Sequence, residues 1–267
     1  MTTATIPALL MEGVTCSSRN SGSLNDFSIL VEPGTFHGLI GAPGSGKSLV
    51  MDLAVGFRRP ERGRVQVLGL SPTPRQTELL RRIGIQSQRV GFLPRLTVRE
   101  HLRSVAEIFG SPLRDVDILI EALLLDSAVD TRVDAITASE GQRLAVASAV
   151  VHRPEILFLD EPTANLDQES RRNLVSLLRS SNIIGTTTLY ATRHLDEVEY
   201  LCDAVTVMDR PAEVWNRVET ENGAYLRGAG VNAEKREATA VSGGVALLRT
   251  IRRQMGGRQL FPRGAVR

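Results

Sequence analysis

The sequence predicts an α/β protein: a mainly parallel sheet covered by helices on both faces, preceded by an antiparallel β portion and interrupted by an inserted α-helical subdomain. Three observations carry this. Compact apolar runs at Thr35–Ile40, Glu155–Leu159, Thr186–Ala191 and Ala204–Met208 alternate with helical patterns, as strands buried on two faces do. Between about 89 and 153 the periodic segments are helical. With 42% hydrophobic residues, a chain of 267 can bury a proper core.

Taken in order, residues 8–16 and 27–32 are expected as the first strands, joined by a Ser-, Asn- and Gly-rich loop over 17–25. Glu32-Pro33-Gly34 turns the chain into Thr35–Ile40, and Leu49–Val55 starts an apolar helix. After a turn at 58–63, Arg64–Leu68 alternates as a strand, 75–82 suits a short helix, and Ile83–Ile85 is the next strand. From Thr97 the pattern is helical, with Val98, Leu102, Val105 and Ile108 on one face and a capping box of Thr97 with Glu100. Further helices are expected over 113–124, about 139–152, about 168–180 and from about 195. From about 211 the pattern fades, and 216–267 is expected as a basic tail, partly disordered or carrying a short helix. Residues 238–267 hold six arginines and no acid, which leaves a solvated tail or a basic strip touching anionic lipid or a partner.

The stretch Gly41-Ala42-Pro43-Gly44-Ser45-Gly46-Lys47-Ser48 fits the phosphate-binding loop G-x-x-x-x-G-K-[ST] at every fixed position, between a strand and a helix start. Its glycines let successive N–H groups turn inward on phosphate oxygens, Lys47 adds a full charge, and Ser48 offers a hydroxyl to Mg²⁺. The helix that follows favours anions at its N-terminus. Far downstream, the apolar run 155–159 delivers Asp160 and Glu161 to a strand end, the pattern of a Walker B strand. Asp160 is then expected to hold Mg²⁺ and Glu161 to orient or deprotonate an attacking water.

Charge narrows the partners. Lys plus Arg (32) nearly balances Asp plus Glu (30), so no global field argues for nucleic acid, and none is expected. Cys16 and Cys202 form no metal or redox pattern and no disulfide framework. No apolar run approaches the ~18 residues of a transmembrane helix, and Met1–Gly13 lacks the basic start of a secretory signal. A cytoplasmic chain is expected, reaching a membrane through a partner or a surface patch.

Over nearly all of its first 210 residues the chain resembles the ATP-binding subunit of ABC transporters, a P-loop NTPase of RecA-like fold. "LFLDEPTANLD" (157–167) is close to that family's Walker B and D-loop, "RIGIQSQ" (82–88) to its Q-loop strand, and "PRLTVREHL" (94–102) to the exporter and drug-resistance branch. The resemblance implies one ATP-binding domain over 1–215, its core at about 1–88 and 154–210 and its helical subdomain at about 89–153. It implies ATP and Mg²⁺ as ligands, with Gln88 contacting Mg²⁺ and water and Asp167 bridging two ATPase monomers. A separate transmembrane permease subunit and a second ATP-binding subunit complete the assembly, at the cytoplasmic face of the membrane.

Three positions depart from the family pattern. The signature place reads Ile136-Thr137-Ala138-Ser139-Glu140, in register with Gln142-Arg143-Leu144-Ala145, so Thr137 and Ser139 are the expected nucleotide contacts where both glycines are lost. The switch-histidine place, before Leu195-Asp196-Glu197, holds Arg193, with His194 one residue late and expected at the surface. No aromatic stands near Ser17–Arg19 to stack on adenine. Arg193 is expected to pair with Glu161 and weaken it as a base; the opposing reading makes Arg193 an arginine finger in cis. Two functions stay open: an exporter ATPase of slow turnover, or a catalytically weak regulatory subunit of a heterodimer.

Overall fold

A computed structural model of the chain describes residues 6–18, 22–88, 91–180 and 186–208, together with the strand backbone of 214–220 and 223–229. The first strands, β1 (Leu9–Ser18) and β2 (Gly22–Val31), pair antiparallel, and β1 takes β4 (Arg62–Val67) on its other edge, giving a sheet of order β2-β1-β4. Both strands run well into the segment expected as a loop. Its Ser and Asn suit the outward side, while Cys16, Leu24 and Phe27 are buried on the inward one, and a strand needs apolar residues on one face only.

The larger sheet has seven strands in the order β10-β9-β8-β3-β7-β6-β5. Its parallel part comprises β8 (Ala204–Met208), β3 (Phe36–Gly41), β7 (Thr187–Thr192), β6 (Ile156–Asp160) and β5 (Ile83–Gln86). Every residue of β3, β6 and β7 is buried, as strands covered on both faces require.

Within the first part of the stretch expected as a basic tail over 216–267, partly disordered or a short helix, the described backbone is strand. Strands β9 (Val214–Thr220) and β10 (Gly223–Ala229) form an antiparallel hairpin added to β8. Val214, Trp215 and Val218 are β-formers. Residues 230–267, with their arginines, lie outside the described residues.

Helix α1 (Lys47–Ala54) lies between the two sheets, touching β1, β2 and β4 as well as β3 and β6. Leu49, Val50, Met51 and Leu53 leave no open face, so one apolar cluster joins both sheets. After the short α2 (Thr77–Leu80), the insertion supplies α3 (Val98–Phe109), α4 (Arg114–Ala122) and α5 (Ala138–Val150) around a second cluster that reaches Leu157, Leu159 and Tyr190. The Thr97–Glu100 capping box is present, and Gly110 ends α3 at φ 71°.

The buried stripe of α3 is Val98, His101, Leu102 and Ala106; Ile108, expected on the inner face, is 69% exposed. His101 turns the stripe, because its Nε2 bonds Ser148 Oγ at 3.2 Å and its ring meets Phe92 edge-on. Helices α6 (Gln168–Ser180) and α7 (Leu195–Leu201) cover the remaining sheet. Among the described residues no helix is long and apolar enough to cross a membrane.

Candidate functional site

Strand β3 ends at Gly41 and α1 starts at Lys47, so the intervening loop bridges the end of a central strand and a helix N-terminus. Gly44 and Gly46 have φ of 73° and 102°, conformations that a side chain resists. At Gly41 a Cβ would stand 2.4 Å from the Met208 carbonyl oxygen and 2.5 Å from Ser45 Oγ, so β3 and β8 close over the loop only on glycine.

Lys47 is 4% exposed and folds back on its own loop, Nζ donating to the carbonyls of Gly41 (2.7 Å) and Ala42 (3.1 Å). It faces Glu161 Oε1 at 3.5 Å. Burial pulls its pKa down, and Glu161 opposes that shift.

Facing the loop, β6 delivers Asp160 as the last residue of a buried strand. Burial raises its carboxyl pKa, a hydrogen bond with Ser48 opposes this, and the Glu161 charge adds to it. Among the described residues, two buried oxygens here have no partner: Asp160 Oδ1 and Ser45 Oγ. Partnerless buried polar atoms are uncommon, and they mark a place built for another group.

Glu161 follows in a left-handed conformation at φ 46°, its amide donating to Ala191 O and its carbonyl accepting from Ala164 N, both at 2.9 Å. Among the described residues no cluster of three or more His, Cys, Asp or Glu could hold a metal by itself. The hydroxyl of Ser48 and the carboxylate of Asp160 are hard oxygen donors that fit Mg²⁺, an ion that takes few protein ligands and completes its shell with phosphate oxygens and water.

The structure thus brings Gly41–Ser48, Asp160 and Glu161 together. It does not pair Arg193 with Glu161 as expected: among the described residues Glu161 pairs with Lys47, and Arg193 is exposed without an ion pair. A buried ammonium requires a counter-charge, whereas a solvated guanidinium does not. Arg193 still contributes to lowering the Lys47 pKa through space. His194 is half-buried rather than at the surface; burial lowers its pKa, and its amide donates to Thr192 Oγ1 at 3.0 Å.

Thr137 and Ser139 stand at the start of α5. Thr137 Oγ1 donates to Glu140 Oε2 at 2.8 Å and accepts from Glu140 N at 3.2 Å, a second capping box that was not expected. Asp167 caps α6, accepting from the amides of Glu169 (3.0 Å) and Ser170 (2.9 Å).

Gln88 is exposed, two residues beyond β5. Gln86, which no motif of the sequence singles out, is buried level with Leu159 of β6, and among the described residues its Oε1 has no partner. A glutamine closing an apolar strand was the available signal.

Residues 24–164 match the family described as ABC transporter. A Nod factor export ATP-binding protein I of Rhizobium etli is 36% identical over 187 residues, 68% of this chain and 59% of that protein. The protein of the same name from Bradyrhizobium diazoefficiens is 32% identical over 212 residues, 78% of this chain and 69% of that one. The chain therefore spans less than two thirds of the Rhizobium etli relative.

Among solved structures, cbiO1 of Clostridium perfringens, part of the ABC transporter complex cbiONQ, gives a TM-score of 0.66 at 24% identity, covering 76% of this chain and 84% of that one. The dimeric bacterial ABC transporter cassette MJ0796 gives 0.65 at 21% identity, covering 75% and 94%. At these identities the two structures speak for the fold. Sheet order, phosphate loop and sequence relatives converge, and the chain belongs to the ABC transporter family, as an ATP-binding subunit of P-loop ATPase type.

Proposed function

We propose that the chain binds MgATP on the 41–48 loop and hydrolyses it slowly to drive export through a separate transmembrane permease subunit. The observation that carries this is the pair of buried, partnerless oxygens, Ser45 Oγ and Asp160 Oδ1, beside a lysine folded onto its own loop. The bonds of Lys47 to the Gly41 and Ala42 carbonyls are ones it can exchange for phosphate oxygens. Ser48 and Asp160 would hold Mg²⁺ through a hydroxyl and a carboxylate oxygen, and Gln88 would be a further contact of the ion and its water. When bound, the ion neutralises charge on the phosphoryl oxygens.

Glu161 is held by Lys47 at 3.5 Å in the structure. Movement of Lys47 toward phosphate frees Glu161 to accept a proton from water. The decisive measurement is calorimetry on Lys47→Ala. Charge-assisted bonds contribute about 1.5–3 kcal/mol each, so affinity for MgATP is expected to fall at least tenfold, and unchanged binding rejects the site.

Export is supported by the rhizobial relatives, which are named for Nod factor export. A second ATP-binding subunit is expected because each site needs the 137–139 region of another chain, and the MJ0796 cassette is a dimer. The assembly belongs at the cytoplasmic face of the membrane. The permease is proposed to dock beside 91–99, where Leu93 is 42% exposed while Phe92 packs inward against His101. Crosslinking from a cysteine at 93 to a co-expressed permease tests this; an assembled complex without a crosslink speaks against it.

A regulatory subunit of weak hydrolysis is the second reading, favoured by Arg193 and by Ala138-Ser139 in place of glycines. Arginine keeps its charge at every relevant pH and cannot take the switching role of a histidine. Loss of one well-placed transition-state hydrogen bond costs roughly 10²–10³ in rate. Turnover of the chain with its permease is therefore expected to be slow and to rise in Arg193→His. A turnover of several per second that falls in the variant favours the arginine-finger reading.

A further inference from the structure

The run Leu195-Asp196-Glu197 opens α7, and its glutamate is 2% exposed. Three hydroxyls converge on this carboxylate. Thr163 Oγ1 donates to Oε1 at 2.8 Å, while Tyr190 Oη (2.9 Å) and Thr192 Oγ1 (2.6 Å) donate to Oε2. Arg171 of α6 sets its Nε 3.9 Å from Oε1 and supplies the nearest counter-charge.

The donors come from two segments that matter to hydrolysis. Thr163 lies in the turn that carries Glu161, closed by the Ala164 N to Glu161 O bond. Thr192 ends β7 next to Arg193, and its Oγ1 also accepts the His194 amide at 3.0 Å, fixing the backbone on both sides of Arg193. The Glu161 amide on the Ala191 carbonyl is a backbone link between the same two segments.

An apolar side chain of this size would fill the place without burying a charge. What a carboxylate adds is direction: it accepts from all three hydroxyls and so fixes their rotors at once.

We propose that Glu197 is a positioning residue of the hydrolytic site, tying the turn 161–164 to the strand end 190–194 so that Glu161 and Arg193 keep one fixed relation. The proposal rests on the reading of Glu161 as the group that activates water. Nucleotide affinity is set at Gly41–Ser48 and is not part of this link.

The test uses the full chain and the variant Glu197→Gln, which keeps the side-chain shape but replaces one acceptor with a donor. Affinity for MgATP by calorimetry is expected to stay within twofold while kcat falls at least tenfold. In a Glu161→Gln background the same change is expected to have no further effect on turnover.

A second arm needs no turnover. In hydrogen–deuterium exchange, Thr163→Val is expected to raise exchange at 190–194 in the wild-type background and to add nothing in the Glu197→Gln background. Silence at 190–194 overturns the proposal. So does wild-type turnover in Glu197→Gln when Glu161→Gln is inactive, or a loss of nucleotide affinity that tracks a lowered melting temperature, which marks a merely structural role. If Glu161→Gln itself turns over normally, the reading of Glu161 fails, and the exchange arm still decides whether the link exists.

Discussion

Gly22 stands where the first hairpin meets the phosphate loop. Its φ is 86°, and a Cβ there would lie 2.4 Å from the Gly44 carbonyl oxygen and 3.2 Å from the Gly46 amide. Gly34 has a similar φ of 75° but nothing within 4 Å of its Cβ position. Alanine at either position carries backbone strain of about 1–3 kcal/mol, yet only Gly22→Ala also displaces the loop. Denaturant melts are expected to show a loss of stability in both variants, and calorimetry a loss of nucleotide affinity in Gly22→Ala alone; equal affinities would show that the contact is incidental. In the sequence Gly22 looks like any glycine of a Ser- and Asn-rich segment, because its importance comes from a contact across twenty residues. That Lys47, Ser48 and Asp160 come together is legible for the opposite reason: they stand in contiguous motifs next to strand ends. Gln86 and Glu197 are not, since what singles them out is burial, a property of the packed fold.

Helix starts are legible where a cap pattern stands alone and obscured where it overlaps another motif. Thr97 with Glu100 and Thr137 with Glu140 form the same capping box, with Thr side chains accepting from Glu amides at 3.2 Å in both. The second is hidden in the sequence by a segment that invites comparison with the altered signature. Alanine at 138 has an element-scale consequence, because alanine is favoured over glycine in a helix by about 1 kcal/mol, so Ala138 strengthens the first turn of α5. Removing either cap is expected to cost about 1 kcal/mol, so Thr97→Ala and Thr137→Ala should lower the denaturant midpoint by similar amounts. If 137–139 serves a second subunit, only Thr137→Ala should also weaken ATP-dependent dimerisation, measured by light scattering. Equal dimerisation in the two variants would leave α5 with a purely local cap. The α3 stripe and the β9–β10 hairpin are less legible: His101 acts as a core residue through Ser148 and Phe92, and Val214, Trp215 and Val218 stand in a stretch with no strict alternation of apolar and polar residues.

For the whole molecule, the arrangement of layers was legible because alternation of strands and helices leaves few ways to cover a parallel sheet. What the sequence did not disclose is how thoroughly its histidines are enclosed. His37, in β3 at the centre of the large sheet, is 3% exposed and bonded to Thr206 Oγ1 at 2.8 Å, and burial lowers its pKa to about 4 from an ordinary 6.5. His101, His152 and His194 are shifted in the same direction, each chiefly by burial. The unfolded chain therefore takes up protons near pH 6.5 that the folded chain refuses until far lower pH, so stability is full above 6.5 and declines as pH falls toward 4. For His37 alone, a shift of this size corresponds to about 3 kcal/mol at 1.36 kcal/mol per unit, a large part of the 5–15 kcal/mol of an ordinary domain. Chemical denaturation at pH 7.5, 6.0 and 5.0 is expected to show stability falling at each step. In His37→Gln, which cannot be protonated but keeps a partner for Thr206, the decline should be shallower, whatever its stability at pH 7.5. An unchanged slope in that variant would mean that the acid sensitivity arises elsewhere, and a flat profile in the wild type would mean that the folded chain admits a proton to His37 at little cost.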